Sequence, residues 1–476
     1  MTGRQELPVV VVGAGPVGLA AAAHLLERGL EPLVLEAGER AGSAVGSWGH
    51  VRLFSPWRYD VDAAARRLLE TTGWSAPDPD ALPTGAELVD GYLAPLAATP
   101  QNASRLRTSS RVVGISREGA DKTRSLGRDR LPYVVRVQGP DGVTRHVRAR
   151  AVLDASGTWG QPSPVGAGGL PALGEPGERA VTGALPDVLG ADRARFAGRR
   201  TLVVGMGHSA ANTLLSLVDL ARDEPGTRIV WAVRGGSARR LYGGGAGDEL
   251  PARGLLGTSL RDAVESGLVT LLTRTSIERI DALAPGAGPL RVQGTTRDGT
   301  LDLEVDAVVG ATGFRPDLGL LREVRLDLDP VVESPRALAE LIDPNQHSCG
   351  TVPPHGETLL AHPDAGFYLV GMKSYGRAPT FLLATGYEQV RSIAAALAGD
   401  REAADQVRLD LPATGVCSTD LALDPTSGVA TEVSCCGTSS VAPEPVLVSL
   451  GAPAPGLGFA TGTAHGRSAD EQEDPR

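Results

Sequence analysis

The chain has 476 residues and a formal net charge of −10, so its composition predicts no nucleic-acid partner, which would require a basic surface. Four cysteines are too few for a disulfide scaffold. The length suffices for two or three domains, and 61 glycines with 35 prolines indicate a loop-rich α/β protein.

The first predicted elements are a buried strand, a glycine-rich turn and a helix. Val9–Val12 lead into the sequence GAGPVG, which begins at Gly13. In a dinucleotide-binding fingerprint the first glycine allows the tight turn, Gly15 lets the backbone approach a pyrophosphate, and Gly18 lets helix and strand pack closely. Glu36 follows the next strand at the spacing of a carboxylate that binds a ribose 2′-hydroxyl. The unit therefore predicts a dinucleotide site.

Residues 8–26 carry no formally charged side chain, a pattern that also suits a signal peptide or a membrane span. Three glycines and Pro16 interrupt the run, and no basic segment precedes it, which argues against both alternatives. A buried parallel strand followed by a buried helix explains the same residues. We expect a cytoplasmic protein without a membrane partner.

Two later apolar strands predict that the chain crosses between domains and returns. The strand Ala151–Asp154 is followed by ASGTWGQP, and the strand that ends at Gly310 is followed by ATGFRP. We expect residues 1–170 and 310–400 to form one domain, with residues 171–309 inserted as a second.

A second fingerprint lies within the inserted part of the chain. It reads GMGHSA from Gly205, with Gly207 as the second glycine and Ala210 at the third position. The following strand, Thr227–Val233, ends in Arg234, where an NAD site would carry an acid. An arginine there accommodates the 2′-phosphate of NADP, which favours NADPH over NADH. Arginines at strand ends also occur as ordinary surface charges, so that alternative stays open.

Four stretches resemble the flavin-containing monooxygenase branch of the two-dinucleotide-binding-domain flavoproteins: GAGPVG from Gly13, GSW from Gly46, GMGHSA from Gly205 and ATGFRP from Ala311. The resemblance covers nearly the whole chain to about residue 400. More narrowly, residues 48–57 and 371–380 are similar to flavoproteins encoded in bacterial arsenic-resistance clusters.

The resemblance implies an α/β fold of two Rossmann-like domains, with an NADPH domain inserted into a discontinuous FAD domain. It implies FAD at the first fingerprint and NADPH at the second. The residues expected to bind the two cofactors are Gly13, Gly15, Pro16, Gly18, Glu36, Trp48, Gly205, Gly207, Ser209, Ala210, Arg234, Thr312, Gly313, Gly371 and Met372.

The sequence departs from the monooxygenase pattern at two places. That branch carries a Phe-x-Gly-x-x-x-His fingerprint before the second nucleotide motif, and residues 179–196 contain no histidine. Many relatives end a late strand in Gly-Asp, whereas this chain has Gly371-Met372. A flavin reductase or oxidase that inserts no oxygen therefore remains an alternative.

The candidate catalytic residues lie in one predicted loop, 345–356. His347 and His355 are candidates for moving protons near neutral pH, and Cys349 lies between them. For each histidine, a structural role is the competing interpretation.

The C-terminal residues, 411–476, lack a sustained helical or strand period and predict a flexible tail. Cys417, Cys435 and Cys436 lie in this tail and predict a site for a trivalent metalloid, because soft thiolates select soft ions. Simple disorder with unimportant thiols is the alternative.

Taken with the resemblance, these features predict an FAD-dependent, NADPH-driven oxidoreductase like the flavin monooxygenases. We expect it to use molecular oxygen on a small-molecule substrate, with arsenic or other soft-element compounds as candidates. Two alternatives stay open, a reductase or oxidase without oxygen insertion and a thiol-based metalloid-binding or redox-sensing protein.

Overall fold

The structure is a computed structural model that describes residues 7–175, 181–242, 251–284, 288–343, 352–379 and 381–409. The strands in these ranges are β1 (Val9–Val12), β2 (Pro32–Leu35), β3 (Leu106–Arg107), β4 (Arg111–Arg117), β5 (Tyr133–Gln138), β6 (Thr144–Ala149), β7 (Ala151–Asp154), β8 (Val181–Thr182), β9 (Arg200–Val204), β10 (Arg228–Ala232), β11 (Val269–Leu272), β12 (Ser276–Ala282), β13 (Leu290–Thr296), β14 (Gly299–Val305), β15 (Ala307–Gly310) and β16 (Phe367–Leu369).

The helices of the same ranges are α1 (Pro16–Glu27), α2 (Ser43–Gly46), α3 (Trp57–Asp60), α4 (Ala63–Glu70), α5 (Gly85–Leu88), α6 (Ala94–Ala98), α7 (Pro100–Ala103), α8 (Arg193–Phe196), α9 (His208–Asp223), α10 (Arg239–Tyr242), α11 (Pro251–Glu265), α12 (Arg336–Ile342), α13 (Glu357–Leu360), α14 (Leu383–Leu397) and α15 (Arg401–Asp405). A short 3₁₀ segment, Gly371–Tyr375, follows β16 and is called the 371–375 turn below.

A parallel sheet in the order β16-β7-β1-β2-β3 carries the first fingerprint. The four valines of β1 are all buried, as expected for a strand covered on both faces. Val9 and Val11 pack on the side of helix α1, and Val10 packs with Val135 of β5 on the other side. Helices therefore cover one face and the antiparallel sheet β4-β5-β6 covers the other.

A second parallel sheet, in the order β11-β10-β9-β15-β8, carries the second fingerprint. Helix α9 buries Ala210 and Leu214 against Val203 on one face. On the other face, Leu202 packs with Val292 of the antiparallel sheet β12-β13-β14. The two parallel sheets thus repeat one plan, with helices on one side and three antiparallel strands on the other.

The two chain segments that connect these sheets lie side by side. The Ser163 N–H donates to the carbonyl of Gly313 at 2.8 Å, and the Arg315 N–H donates to the carbonyl of Gln161 at 2.9 Å. The Thr312 hydroxyl donates to the carbonyl of Ser163 at 2.5 Å. The outgoing and returning crossings are therefore hydrogen-bonded to each other.

This architecture confirms the predicted α/β fold class with two Rossmann-like sheets. Among the described residues, no helix combines the length and the apolar character that a membrane crossing requires. The predicted tail, 411–476, lies outside the described residues.

Candidate functional site

The three glycines of the first fingerprint have different surroundings. A Cβ added at Gly18 would lie 2.0 Å from the carbonyl oxygen of Gly13, and one at Gly13, where φ is +99°, would lie 2.7 Å from that of Ala155. At Gly15 the same test finds no described atom within 4 Å. Two glycines therefore allow close packing, and the third borders open space, as a site for an approaching pyrophosphate requires.

Glu36 lies directly after β2, with its carboxylate turned toward the fingerprint. One carboxylate oxygen accepts from the N–H of Ala14 at 2.7 Å and the other accepts from the N–H of Gly38 at 2.7 Å. Each oxygen retains a lone pair for a further donor. The side chain is half-buried, and it fits the predicted role of accepting from a ribose hydroxyl.

The second fingerprint repeats this arrangement. A Cβ at Gly205, where φ is +135°, would lie 2.0 Å from the carbonyl oxygen of Ala311, whereas Gly207 has no described atom within 4 Å of that position. Gly207 is the N-cap of α9, and no side chain caps the helix, so Ser209 does not act as a cap. Arg234 is exposed two residues beyond β10. The open space, the helix N-terminus and the arginine fit a phosphorylated dinucleotide.

Partly exposed aromatic rings connect the surroundings of the two fingerprints. Phe54 packs on the ring of His208, the first residue of α9, at a centroid distance of 5.1 Å. Trp159 lies 6.4 Å from Trp48 and 5.0 Å from Phe314. We call these five residues the aromatic junction. The sequence suggested Trp48 alone, because the other rings come from distant segments with no shared local pattern.

The crossing residues predicted to bind a cofactor have structural contacts as well. The Thr312 hydroxyl donates its hydrogen bond to the carbonyl of Ser163. Gly313 is exposed, with φ at +90° and no described atom within 4 Å of an added Cβ. Both lie next to Phe314 of the aromatic junction.

The 371–375 turn rests on the first turn of α1. A Cβ at Gly371, where φ is +66°, would lie 3.2 Å from a methyl group of Val17. Met372 is half-buried in the same turn, which follows a strand of the first parallel sheet. The predicted cofactor residues Gly371 and Met372 are thus close to the first fingerprint.

A fully buried ion pair joins this turn to β7. The Lys373 ammonium lies 2.7 Å from the Asp154 carboxylate, and both side chains are 0 % exposed. Lys373 also donates to the Ser156 hydroxyl at 3.1 Å, and that hydroxyl donates to Asp154 at 2.6 Å. No motif in the sequence predicts this pair, although a lysine directly after the uncharged stretch 366–372 is a signal for it.

Of the three candidate catalytic residues, the structure describes His355. His355 is buried, and its two ring nitrogens contact the carbonyl of Pro353 at 3.1 Å and the side chain of Gln389 at 2.8 Å. Burial lowers the pKa of His355. His347 and Cys349 lie outside the described residues.

A second buried polar cluster includes Asp60, the last residue of α3. Asp60 is wholly buried, and burial raises its pKa to about 7 despite a hydrogen bond of 2.8 Å from Ser55. The other carboxylate oxygen of Asp60 has no hydrogen-bond partner among the described residues. Nearby, Asp62 pairs with His24 at 2.9 Å. No sequence motif indicated that Asp60 would be buried.

The predicted metalloid ligands Cys417, Cys435 and Cys436 also lie outside the described residues. Within the part of the chain that the structure describes, no group of three or more histidine, cysteine or acidic side chains could hold a metal ion.

Residues 8–83 match the family model described as FAD dependent oxidoreductase. The match covers β1, the first fingerprint and Glu36, and at the level of this family it confirms FAD as the predicted cofactor. A search of proteins with curated functions finds no significant match.

Solved structures with the same fold include both reductases and monooxygenases. Bacillithiol disulfide reductase Bdr from Bacillus cereus is 18% identical, with 83% of this chain and 99% of that chain covered and a TM-score of 0.60. The ornithine N-hydroxylase of Kutzneria sp. 744, solved with reduced FAD and NADP+, is 18% identical over 83% and 100% of the two chains, with a TM-score of 0.55. A flavin-containing monooxygenase from Stenotrophomonas maltophilia is 22% identical over 83% and 98%, with a TM-score of 0.51.

These likenesses establish the fold of the two-dinucleotide-binding flavoproteins for this chain. Because reductases and monooxygenases share that fold, it does not by itself select one chemistry.

Proposed function

We propose that the chain is an FAD-dependent, NADPH-driven oxidoreductase of the flavin monooxygenase type, which acts on a small molecule with molecular oxygen. The observation that carries the proposal is the contact between Phe54 and His208 in the aromatic junction. It brings the start of the second fingerprint helix against the segment that follows the first fingerprint. Electron transfer between two bound dinucleotides requires such a shared junction.

The residues that would hold FAD lie around the first fingerprint. Gly15 leaves space for the pyrophosphate, and the first turn of α1 offers N–H groups without helical partners. Glu36 would accept from the ribose, and the 371–375 turn, which contacts Val17 of α1, would border the site. When bound, FAD would accept a hydride from NADPH and pass the electrons to a second acceptor.

The chain's own groups supply position and polarity. The partly exposed rings of Trp48 and Trp159 would exclude water from the junction and present flat apolar surfaces to a ligand. The domain boundaries remain part of the proposal, with 1–170 and 310–400 for FAD and 171–309 for NADPH. The strands of the two parallel sheets fall on either side of these boundaries, except that β15 of the second sheet extends one residue past its boundary, to Gly310, and this division supports the proposal.

NADPH preference rests on Arg234 at the end of the second fingerprint unit. We expect R234S to raise KM for NADPH roughly 10- to 100-fold, because a hydrogen bond to a charged group contributes about 1.5–3 kcal/mol. KM for NADH should change little, since NADH lacks the 2′-phosphate. Steady-state kinetics with both cofactors measures this, with R222S on the exposed end of α9 as the control. An unchanged ratio of the two KM values would contradict the assignment.

A monooxygenase, an oxidase and a reductase differ in the acceptor that receives the electrons of NADPH. The experiment uses FAD-loaded protein and measures NADPH oxidation, oxygen uptake and hydrogen peroxide release with amines, sulfides and trivalent arsenicals as candidate substrates. A monooxygenase oxidises NADPH faster when a substrate is present and releases much less peroxide than the NADPH consumed. Peroxide equal to NADPH in every condition would identify an oxidase. NADPH oxidation that needs an added disulfide acceptor, without oxygen uptake, would identify a reductase.

The arsenical part of the proposal has its own test in the three tail cysteines. Replacement of Cys417, Cys435 and Cys436 by serine should abolish binding of trivalent arsenic and leave NADPH-driven flavin reduction unchanged. Arsenic binding without any NADPH oxidation by the wild-type protein would favour the metalloid-binding alternative instead.

A further inference from the structure

A polar network joins the 371–375 turn to Gln389 of α14 and to His355. One backbone N–H group determines the direction of the hydrogen bonds that Gln389 makes in it. The Gly371 N–H donates to the side chain of Gln389 at 2.8 Å, so the Gln389 atom that it meets is the carbonyl oxygen. The Gln389 amide nitrogen therefore carries the two donors. They reach the Ser374 hydroxyl at 2.9 Å and Nε2 of His355 at 2.8 Å. The Ser374 hydroxyl in turn donates to the carbonyl of Gly371 at 2.7 Å.

This chain of donors determines the state of His355. Since Gln389 donates to Nε2, that nitrogen must be an acceptor, so the ring is neutral. The proton is on Nδ1, which donates to the carbonyl of Pro353. Both ring nitrogens are used, and the side chain is buried, so His355 in this arrangement has no site for exchanging a proton with a substrate. The lowered pKa of His355, caused by burial, agrees with a neutral ring.

The network acts on a turn that is held from two sides. On one side, Gln389 of α14 binds both Gly371 and Ser374. On the other, Lys373 pairs with Asp154 at the end of β7. Such complete satisfaction of buried polar groups fixes a segment in one conformation.

We propose that His355 is a positioning residue for the FAD site: as the neutral Nδ1–H tautomer it orients Gln389, which fixes the 371–375 turn against the first turn of α1. This rests on the proposed function, namely that the first fingerprint holds FAD. In this proposal His355 acts through Gln389 and makes no contact with a substrate, which is the structural alternative to its predicted catalytic role.

Protonation of His355 would remove the hydrogen bond that Nε2 accepts from Gln389. An imidazolium would place an Nε2–H donor against the donor amide of Gln389 at 2.8 Å. Rotating the amide by half a turn would relieve that contact, but it would present donors to the Gly371 N–H. The turn should therefore loosen as the pH falls through the pKa of His355.

The charged groups around His355 are already paired. On α14, Glu388 forms an ion pair with Arg391 at 2.7 Å. On α13, Glu357 accepts from Tyr368 and pairs with Arg401 at 2.7 Å. Among the described residues, the Lys373–Asp154 pair also lies at the 371–375 turn. Burial raises the pKa of Tyr375, whose ring packs 5.9 Å from His355, so that Tyr375 stays neutral. Burial also raises the pKa of Asp60 to about 7, and its backbone carbonyl accepts from Tyr387 of α14. A pH transition in FAD affinity is therefore assigned to His355 only where H355F removes it.

The test measures FAD affinity between pH 4.5 and pH 8 for the wild-type protein and three variants. In H355F the acceptor is lost, and FAD affinity should fall at least tenfold at pH 8 and become independent of pH. In Q389E a carboxylate accepts from Gly371 and from a protonated His355, so the wild-type loss of affinity at low pH should disappear or reverse.

His362 provides the matched control. It is also buried, with a pKa lowered to about 4 by burial, but its contacts are the Asp327 N–H and the ring of Phe367, outside the network. H362F should lose stability and keep the FAD affinity and pH profile of the wild type. Nitrogen-15 NMR of labelled histidines gives a second readout, in which His355 should carry its proton on Nδ1.

Equal FAD affinities in H355F and H362F, or an Nε2–H tautomer for His355, would overturn the positioning role alone. A wild-type protein that binds no FAD at any pH would overturn the proposed function and with it this role. A wild-type affinity that falls at low pH and is restored by Q389E supports both.

Discussion

At the scale of single residues, the site is defined by where a side chain has room and where it has none. Gly18 and Gly15 belong to the same six-residue motif, but an added Cβ would clash with the backbone at the first and meet open space at the second. Asp60 illustrates a different constraint, since a carboxyl group without exposure holds its proton to an unusually high pH.

Replacement by alanine should have different effects at Gly18 and Gly15. G18A should destabilise the apoprotein by about 1–3 kcal/mol or more, because its methyl group overlaps the carbonyl of Gly13. G15A should leave the unfolding of the apoprotein within about 0.5 kcal/mol of wild type and weaken FAD binding at least tenfold. Denaturant unfolding and FAD titration distinguish the two effects. If G15A bound FAD like the wild type, the pyrophosphate would not approach at Gly15.

Asp60 predicts a pH dependence of stability with a definite sign. The folded state keeps the proton to a pKa of about 7, whereas the unfolded chain releases it near the ordinary value of 3.8. The contribution of protonated Asp60 to the free energy of unfolding is complete below the unfolded pKa and is lost as the pH rises to about 7. The total loss is about 4 kcal/mol at most. D60N, which resembles the protonated acid in shape and does not ionise, should remove this loss.

Urea unfolding at pH 5 and pH 8 measures the effect of D60N on the free energy of unfolding. The variant should be more stable than wild type at pH 8, and the gap should narrow at pH 5. D223N, at the exposed end of α9, serves as the control, and its difference from wild type should not change between the two pH values. An equal difference from wild type at both pH values would show that Asp60 does not titrate in this range.

At the scale of elements, the 371–375 turn shows how a short segment is fixed by contacts that are distant in sequence. Lys373 and Asp154 are separated by 219 residues and pair without exposure to solvent. A buried ion pair is weak evidence for added stability, but removal of one partner leaves the other charge buried and unpaired. The turn is therefore sensitive to loss of either partner.

Removing the lysine should be more harmful than removing both charges. K373M should lower the free energy of unfolding by about 3–5 kcal/mol, because it leaves the Asp154 carboxylate buried without its partner. The double variant D154N/K373M should recover more than half of that loss. Urea unfolding of the apoproteins measures both values. A K373M variant within about 1 kcal/mol of wild type would show that the pair is not buried in solution.

The elements that the sequence predicted are those with a strong local pattern. The predicted strands Val9–Val12 and Ala151–Asp154 have their observed bounds, and the strand predicted over Thr227–Val233 spans Arg228–Ala232. The antiparallel strands β4–β6 and β12–β14 were not predicted, because charged residues such as Arg136 weaken their apolar alternation. The Lys373–Asp154 pair and the aromatic junction depend on contacts across the fold, so the sequence can single out Lys373 or Trp48 but not the distant residues that they contact.

At the scale of the whole molecule, two similar sheets each place a glycine fingerprint at the end of a buried strand. The crossing segments at Ser163 and Gly313 are hydrogen-bonded to each other, and Phe314 continues from them into the aromatic junction. The connection between the sheets also borders both fingerprints, since an added Cβ at Gly13 would meet Ala155 and one at Gly205 would meet Ala311. This arrangement suits a protein in which two dinucleotides exchange electrons.

The most direct test of that account is anaerobic mixing of the FAD-loaded protein with NADPH, followed by the absorbance of the oxidised flavin. The account predicts complete loss of this absorbance with one NADPH per FAD, and much slower reduction by NADH at the same concentration. A protein that binds FAD but whose flavin stays oxidised in the presence of excess NADPH would contradict the account.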